Sequence, residues 1–184
     1  MAIFGAGLFG AGSATNVDMD GTPVRLLYTS AFQINAEVPA GIAPGVHTLR
    51  IQSAFGGVQQ QVTVSAVAPE VFLVGNPPVG ALVNQDGSLN GPTSPLPRSQ
   101  ALVIYCTGLG AVTKSGQLSV ASTPVTVVLN GTELPASFAG LTPGYIGLYQ
   151  VNVIVPPATP PGLGISLTLK QGGQLSNSVV LSLQ

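Results

Sequence analysis

The chain of 184 residues holds one cysteine and one histidine, so a thiol nucleophile with an imidazole base would have to pair Cys106 with His47. Their settings point away from that chemistry. Cys106 follows the apolar run Ala101-Leu102-Val103-Ile104-Tyr105, where a free thiol acts as a small buried filler. His47 alternates with Leu49 and Ile51, which puts it on the core rim at the start of a strand. A single cysteine also excludes an internal disulfide and a Cys/His zinc knuckle. Asn16-Val17-Asp18-Met19-Asp20-Gly21 imitates the first half of an EF-hand loop, with oxygen donors at alternate positions and then glycine. The place of the closing bidentate carboxylate is taken by Leu27, so the stretch reads as a hairpin turn that holds no metal.

Asp18 and Asp20 are the one close carboxylate pair; glycosidase-style acid and nucleophile roles would need distant acids such as Glu37 and Glu70 to converge. Gly5-Ala6-Gly7-Leu8-Phe9-Gly10 has the look of a dinucleotide glycine fingerprint, yet that motif must open a helix inside a βαβ unit. No catalytic residue, cofactor site or metal site is therefore assigned. Three aromatic residues, Phe32, Tyr145 and Tyr149, could form a stacking platform for carbohydrate. An aromatic content of 5% with no tryptophan weighs against it. Gln33/Asn35 and Gln150/Asn152 recur on one face of matching segments, which suits amides that satisfy the backbone of a neighbouring loop, or else a shared ligand site.

The elements that must position these residues are written twice. Gln33-Ile34-Asn35, Val38-Pro39 and Pro44-Gly45 return as Gln150-Val151-Asn152, Val155-Pro156 and Pro161-Gly162 at an offset of 117, which also matches Val62-Thr63-Val64 with Val179-Val180-Leu181. Asp20-Gly21-Thr22 returns as Asn130-Gly131-Thr132 at 110, and Ile3-Phe4 with Gly7-Leu8 as Ile104-Tyr105 with Gly108-Leu109 at 101. The second copy thus carries about seven extra residues around 140–147. Ile165, Leu167 and Leu169 alternate with Ser166, Thr168 and Lys170, and the segment from Tyr149 to Val155 alternates in the same way; this is the period of half-buried strands. Asp20-Gly21 and Asn130-Gly131 are tight-hairpin dipeptides, and paired prolines bracket the connection after each central strand. The expected fold is all-β: two tandem immunoglobulin-like β-sandwich modules, residues 1–68 and 69–184.

Composition agrees. Charged residues make up 6% of the chain, against roughly 25% in an average soluble domain, and a formal net charge of −1 with five scattered cations cannot neutralise a run of phosphates. Nucleic acid is thereby excluded as a partner. The hydrophobic content of 45% excludes a charged disordered tail, and no apolar run has the roughly 18 residues of a membrane span.

Gly80-Ala81-Leu82-Val83-Asn84-Gln85-Asp86-Gly87-Ser88-Leu89-Asn90, Ile104-Tyr105-Cys106-Thr107-Gly108-Leu109-Gly110, Phe138 to Gly144 and Gly147 to Val153 together resemble the Solibacter-type uncharacterised C-terminal domain family. The resemblance covers nearly the whole chain. It implies tandem IPT/TIG-like modules at the C-terminus of a larger secreted or surface protein of soil bacteria, with no assigned activity. The expected function is a non-enzymatic, extracellular structural or interaction module, or alternatively a polysaccharide- or surface-polymer-binding domain. Members of that family carry a leading strand before the segment equivalent to Ala2-Ile3-Phe4-Gly5. Here the first module starts at that segment, so its leading strand is expected to be missing and an open sheet edge left for another domain of the parent protein or a second copy.

Overall fold

The computed structural model describes residues 1–9, 15–39 and 41–184. The chain divides into two compact units, Met1–Ala66 and Val67–Gln184. The described residues form strands, bridges, turns and bends and no helix, and no helix is long and apolar enough to cross a membrane. The fold is all-β and antiparallel throughout its strand pairs, as the period-two patterns require.

The first unit contains β1 (Ala2–Phe4), β2 (Asn16–Met19), β3 (Thr22–Pro23), β4 (Leu26–Thr29), β5 (Gln33–Ala36), β6 (Gly45–Ser53) and β7 (Gly56–Val64). Its sheets have the orders β1-β5-β4 and β3-β2-β6-β7. Ile34 and Ala36 from one sheet and Val17, Met19, Leu49 and Ile51 from the other bury into a single core. Alternation explains the choice of face, since each strand sends every second side chain inward.

The second unit begins with four short strands, β8 (Glu70–Val71), β9 (Leu73–Val74), β10 (Val79–Gly80) and β11 (Leu82–Asn84). Next come β12 (Ala101–Thr107), β13 (Val112–Ser115), β14 (Leu118–Ala121), β15 (Val125–Leu129), β16 (Thr132–Pro135), β17 (Phe138–Leu141) and β18 (Tyr149–Ile154). The unit closes with β19 (Gly162–Gln171), β20 (Gln174–Leu175) and β21 (Val179–Leu183). The sheet β11-β12-β18-β17-β14-β13, with β8 also on β12, shares one core with the sheet of β16-β15-β19-β20, in which β21 also pairs β19. Leu102, Ile104, Val151, Val127, Leu167 and Leu181 are fully buried in that core.

Strand registers repeat between the units. Ala2, Ile3 and Phe4 pair with Asn35, Ile34 and Gln33, as Val103, Ile104 and Tyr105 pair with Asn152, Val151 and Gln150. The hairpin tips also match: Asp20 and Asn130 have φ of 51° and 44°, followed by Gly21 and Gly131 at 82° and 84°. Two successive positive φ values define the tight turn that strand twist favours. Each tip residue donates its N–H to a β6 or β19 carbonyl, Thr48 or Ser166, both at 2.9 Å. Its side chain accepts the amide of the same residue, at 2.7 Å from Asp20 and 3.0 Å from Asn130.

The last strands of the two units align two residues away from the match of Val62 with Val179 that the repeat suggests. His47 pairs with Val62 and Ile165 with Leu181, so Val62 corresponds to Leu181, two residues beyond Val179. The register of β19 shifts between Gly162 and Ile165. A slip of two leaves every side chain on its original face, so the pattern of sequence alone does not detect it.

Candidate functional site

The residues that could do chemistry are engaged in structure. Cys106 is fully buried, paired across from Tyr149 and Val71, and burial pushes its thiol up to about 12. A thiol in that setting is not a nucleophile near neutral pH. His47 belongs to the first unit and Cys106 to the second. The imidazole lies 2.6 Å through Nδ1 from Asp20 Oδ2 and 2.8 Å through Nε2 from the Ala43 carbonyl oxygen. Both partners are acceptors, so only the doubly protonated ring donates to both. The bond to Asp20, then that to Ala43, holds the His47 pKa above its ordinary value. Asp20 is held below the ordinary carboxylate value, first by the Thr48 amide and then by His47.

Asp18 accepts the Gly21 amide at 2.8 Å and lies 3.5 Å from Arg50, while Asp20 fixes Thr48 and His47. These carboxylates therefore tie a hairpin tip to its neighbouring strand. No cluster of metal-ligating residues occurs among the described residues. Glu37 pairs with Arg25 at 3.8 Å, and Glu70 lies on β8 in the other unit. Gly5 follows a strand and leads into bends, with no helix for the glycine run to open; Gly10 lies outside the described residues.

The three aromatic candidates are divided between the two units and between surface and core. Phe32 is exposed on the first unit, just ahead of β5, and Tyr145 is exposed on the second. Tyr149 sits on the core side of β18, packed against the buried cluster, and its hydroxyl donates to the Gly110 carbonyl at 2.7 Å. Strand alternation explains this, because Tyr149 shares its face with Val151 and Val153.

The Gln-x-Asn pairs behave differently from the loop-bonding role expected. In the first unit Gln33 Nε2 donates to Asn35 Oδ1 at 2.8 Å, so the amides bond to each other. In the second, Asn152 Oδ1 is buried with no partner among the described residues. Sequence reasoning missed the aromatics beside them. Phe4 faces Gln33 and Tyr28 faces Asn35, while Tyr105 faces Gln150 and Phe138 faces Asn152. The signal was present at the 101 and 110 offsets. Phe4 and Tyr28 are 73% and 53% exposed, whereas Tyr105 and Phe138 are half-buried.

The two copies differ most at the strand edge next to Phe4. In the second unit β12 has β18 on one side and β11 with β8 on the other. The Tyr105 N–H donates to Ala81 at 3.0 Å, and its carbonyl accepts from Phe72 at 3.0 Å. In the first unit, among the described residues, β1 pairs with β5 alone. Met1 and Gly5 bond toward Ala36 and Phe32, so the alternating ladder turns the N–H and C=O of Ala2 and Phe4 to the other edge.

No family model matches the sequence, and no curated protein matches it. Among solved structures, the chain is similar to a surface glycan-binding protein of the Bacteroides ovatus mixed-linkage glucan utilization locus, solved with a mixed-linkage heptasaccharide. Identity is 15% and the TM-score 0.36, over 92% of this chain and 37% of that one. A second similar structure is domains 4 and 5 of the S-layer protein SbsC, at 16% identity and a TM-score of 0.26, over 92% of this chain and 70% of that one. Likenesses of this size bear on no individual residue.

Proposed function

We propose that the chain is a non-enzymatic, extracellular interaction module of a larger secreted or surface bacterial protein, and that its first unit completes its sheet by accepting an extended strand from that protein. The observation that carries this reading is the edge of β1. Its counterpart β12 is covered by polypeptide along the same edge, whereas β1 is paired on one side only among the described residues. Unpaired backbone groups beside exposed apolar side chains make a template for strand addition. Phe4 supplies such a side chain, and a net charge of −1 gives little repulsion. The non-enzymatic part is supported by the buried thiol of Cys106, the saturated His47 and the structural engagement of Asp18 and Asp20. The resemblance to Solibacter-type domains supports the extracellular placement.

The test fuses a second copy of residues 69–90, the segment that covers β12, ahead of Ala2. Amide hydrogen exchange at Phe4 is expected to slow severalfold and the first unit to melt higher. Unchanged exchange and melting would refute the reading. Protection of Phe4 that grows with protein concentration in the unfused chain would replace the parent protein with a second copy as the donor.

A further inference from the structure

One of the insertions that distinguish the second unit from the first lies in the strand-to-strand connection. Thr29 and Gln33 are joined through Ser30, Ala31 and Phe32, whereas their counterparts Ala139 and Gln150 are joined through 140–149, seven residues more. The added loop is closed on itself. Thr142 N–H donates to the Leu148 carbonyl at 2.9 Å, and Tyr145 N–H donates to the Thr142 carbonyl at 3.1 Å. At its tip the loop keeps two apolar side chains out of the core: Tyr145 is 61% and Ile146 44% exposed. Ordering a loop costs conformational entropy, and burial of these two side chains does not offset it.

With the β13–β14 hairpin opposite, the loop walls a cleft of about 400 Å³. Tyr145 offers an open ring. Gln117 offers an amide, and Lys114 offers an ammonium group that bonds Ser119 Oγ at 3.0 Å. Thr142 also lines the cleft, and its buried hydroxyl oxygen has no hydrogen-bond partner among the described residues. No carboxylate lines the cleft, so nothing there attracts a cation. One lysine is too little for a polyanion. An aromatic face beside neutral hydrogen-bonding groups fits the apolar face and the hydroxyl rim of a pyranose ring.

We infer that this cleft binds a stretch of neutral polysaccharide, with one pyranose ring laid on Tyr145. The seven-residue insertion and the β13–β14 hairpin together build the site on the second unit. The inference does not depend on the β1 edge. The test titrates the full chain calorimetrically with cellohexaose, xylohexaose, maltohexaose, mannohexaose and chitohexaose, and repeats the titrations with Tyr145→Ala, Tyr145→Phe and Gln117→Ala. At least one oligosaccharide is expected to bind. Tyr145→Ala should weaken it by about tenfold or more, Gln117→Ala by a smaller factor, and Tyr145→Phe by no more than about twofold. The melting temperature should be the same in all four proteins, because the ring is exposed. Silence from all five sugars, or affinity that survives Tyr145→Ala, overturns the inference. The chain with the strand fused ahead of Ala2 should bind the same sugar equally well, which separates failure here from failure of the strand-addition reading.

Discussion

Asn90 is 5% exposed and has all its side-chain hydrogen-bonding atoms in use. Its Nδ2 donates to Asn84 Oδ1 and to the Ser182 carbonyl, both at 2.9 Å, and its Oδ1 accepts the Ser182 amide at 2.8 Å. The carboxamide thereby ties the β11 edge of one sheet to β21 in the other. Replacing Asn90 with alanine leaves the Ser182 N–H and Asn84 Oδ1 unpaired; the Ser182 carbonyl keeps its bond from Leu96 N–H at 2.9 Å. Two orphaned groups, at roughly 1–3 kcal/mol each, give an expected loss of about 3 kcal/mol from the second unit. Asn90→Asp keeps the shape and the acceptor but sets a carboxylate oxygen against two acceptors. Burial and those oxygens raise its folded-state pKa, so this variant should be destabilised above the ordinary carboxylate pKa and recover as pH falls below the raised value. Urea unfolding followed by far-ultraviolet circular dichroism measures both. A loss under about 1 kcal/mol in the alanine variant, or an aspartate variant indifferent to acid, would refute the reasoning.

The His47 clasp makes the stability of the first unit pH-dependent. Because its folded pKa is raised, the His47 contribution is complete below the ordinary histidine value and disappears as pH rises through the raised one. The Asp20 contribution, with its pKa depressed, is present above the ordinary carboxylate value and lost as pH falls through the lowered one. Melting of the first unit should therefore peak between these limits, and His47→Ile, the residue at the matching position of the second unit, should remove the alkaline decline. Gly108→Ala should unfold the second unit or destabilise it by more than about 3 kcal/mol. Gly108 has φ of 78°, and an added Cβ would stand 1.7 Å from the Ala68 carbonyl oxygen. Near-wild-type thermal melting of that variant would contradict the close approach.

What could be read ahead of the structure was local or repeated. Asp20-Gly21 and Asn130-Gly131 announce their turns because φ > 0 is a property of the residues themselves, and the change of offset from 110 to 117 marks the inserted loop. Long-range pairings carry no such signature: Asn90 meets Ser182 across 92 positions, which neither periodicity nor turn chemistry reveals. Tyr149 gave two signals. Its place in the apolar alternation indicated the core, against which its half-buried ring packs, while its aromatic character suggested a binding platform. His47 was legible as a rim residue, but its carboxylate partner comes from a hairpin tip 27 residues earlier.

The last strand of the second unit has a mechanical consequence. β21 runs antiparallel to β19, and the chain around Leu96 runs parallel to its other side. Leu96 N–H donates to Ser182, Gln184 N–H to Leu96, and Arg98 N–H to Gln184. Tension applied along β21 from Gln184 is shared by hydrogen bonds on both flanks, which must slide together. A strand pulled at right angles to its partners would instead unzip one bond at a time. Traction along this strand therefore meets a shear clamp, the arrangement in which a β-sandwich resists extension by yielding late and abruptly.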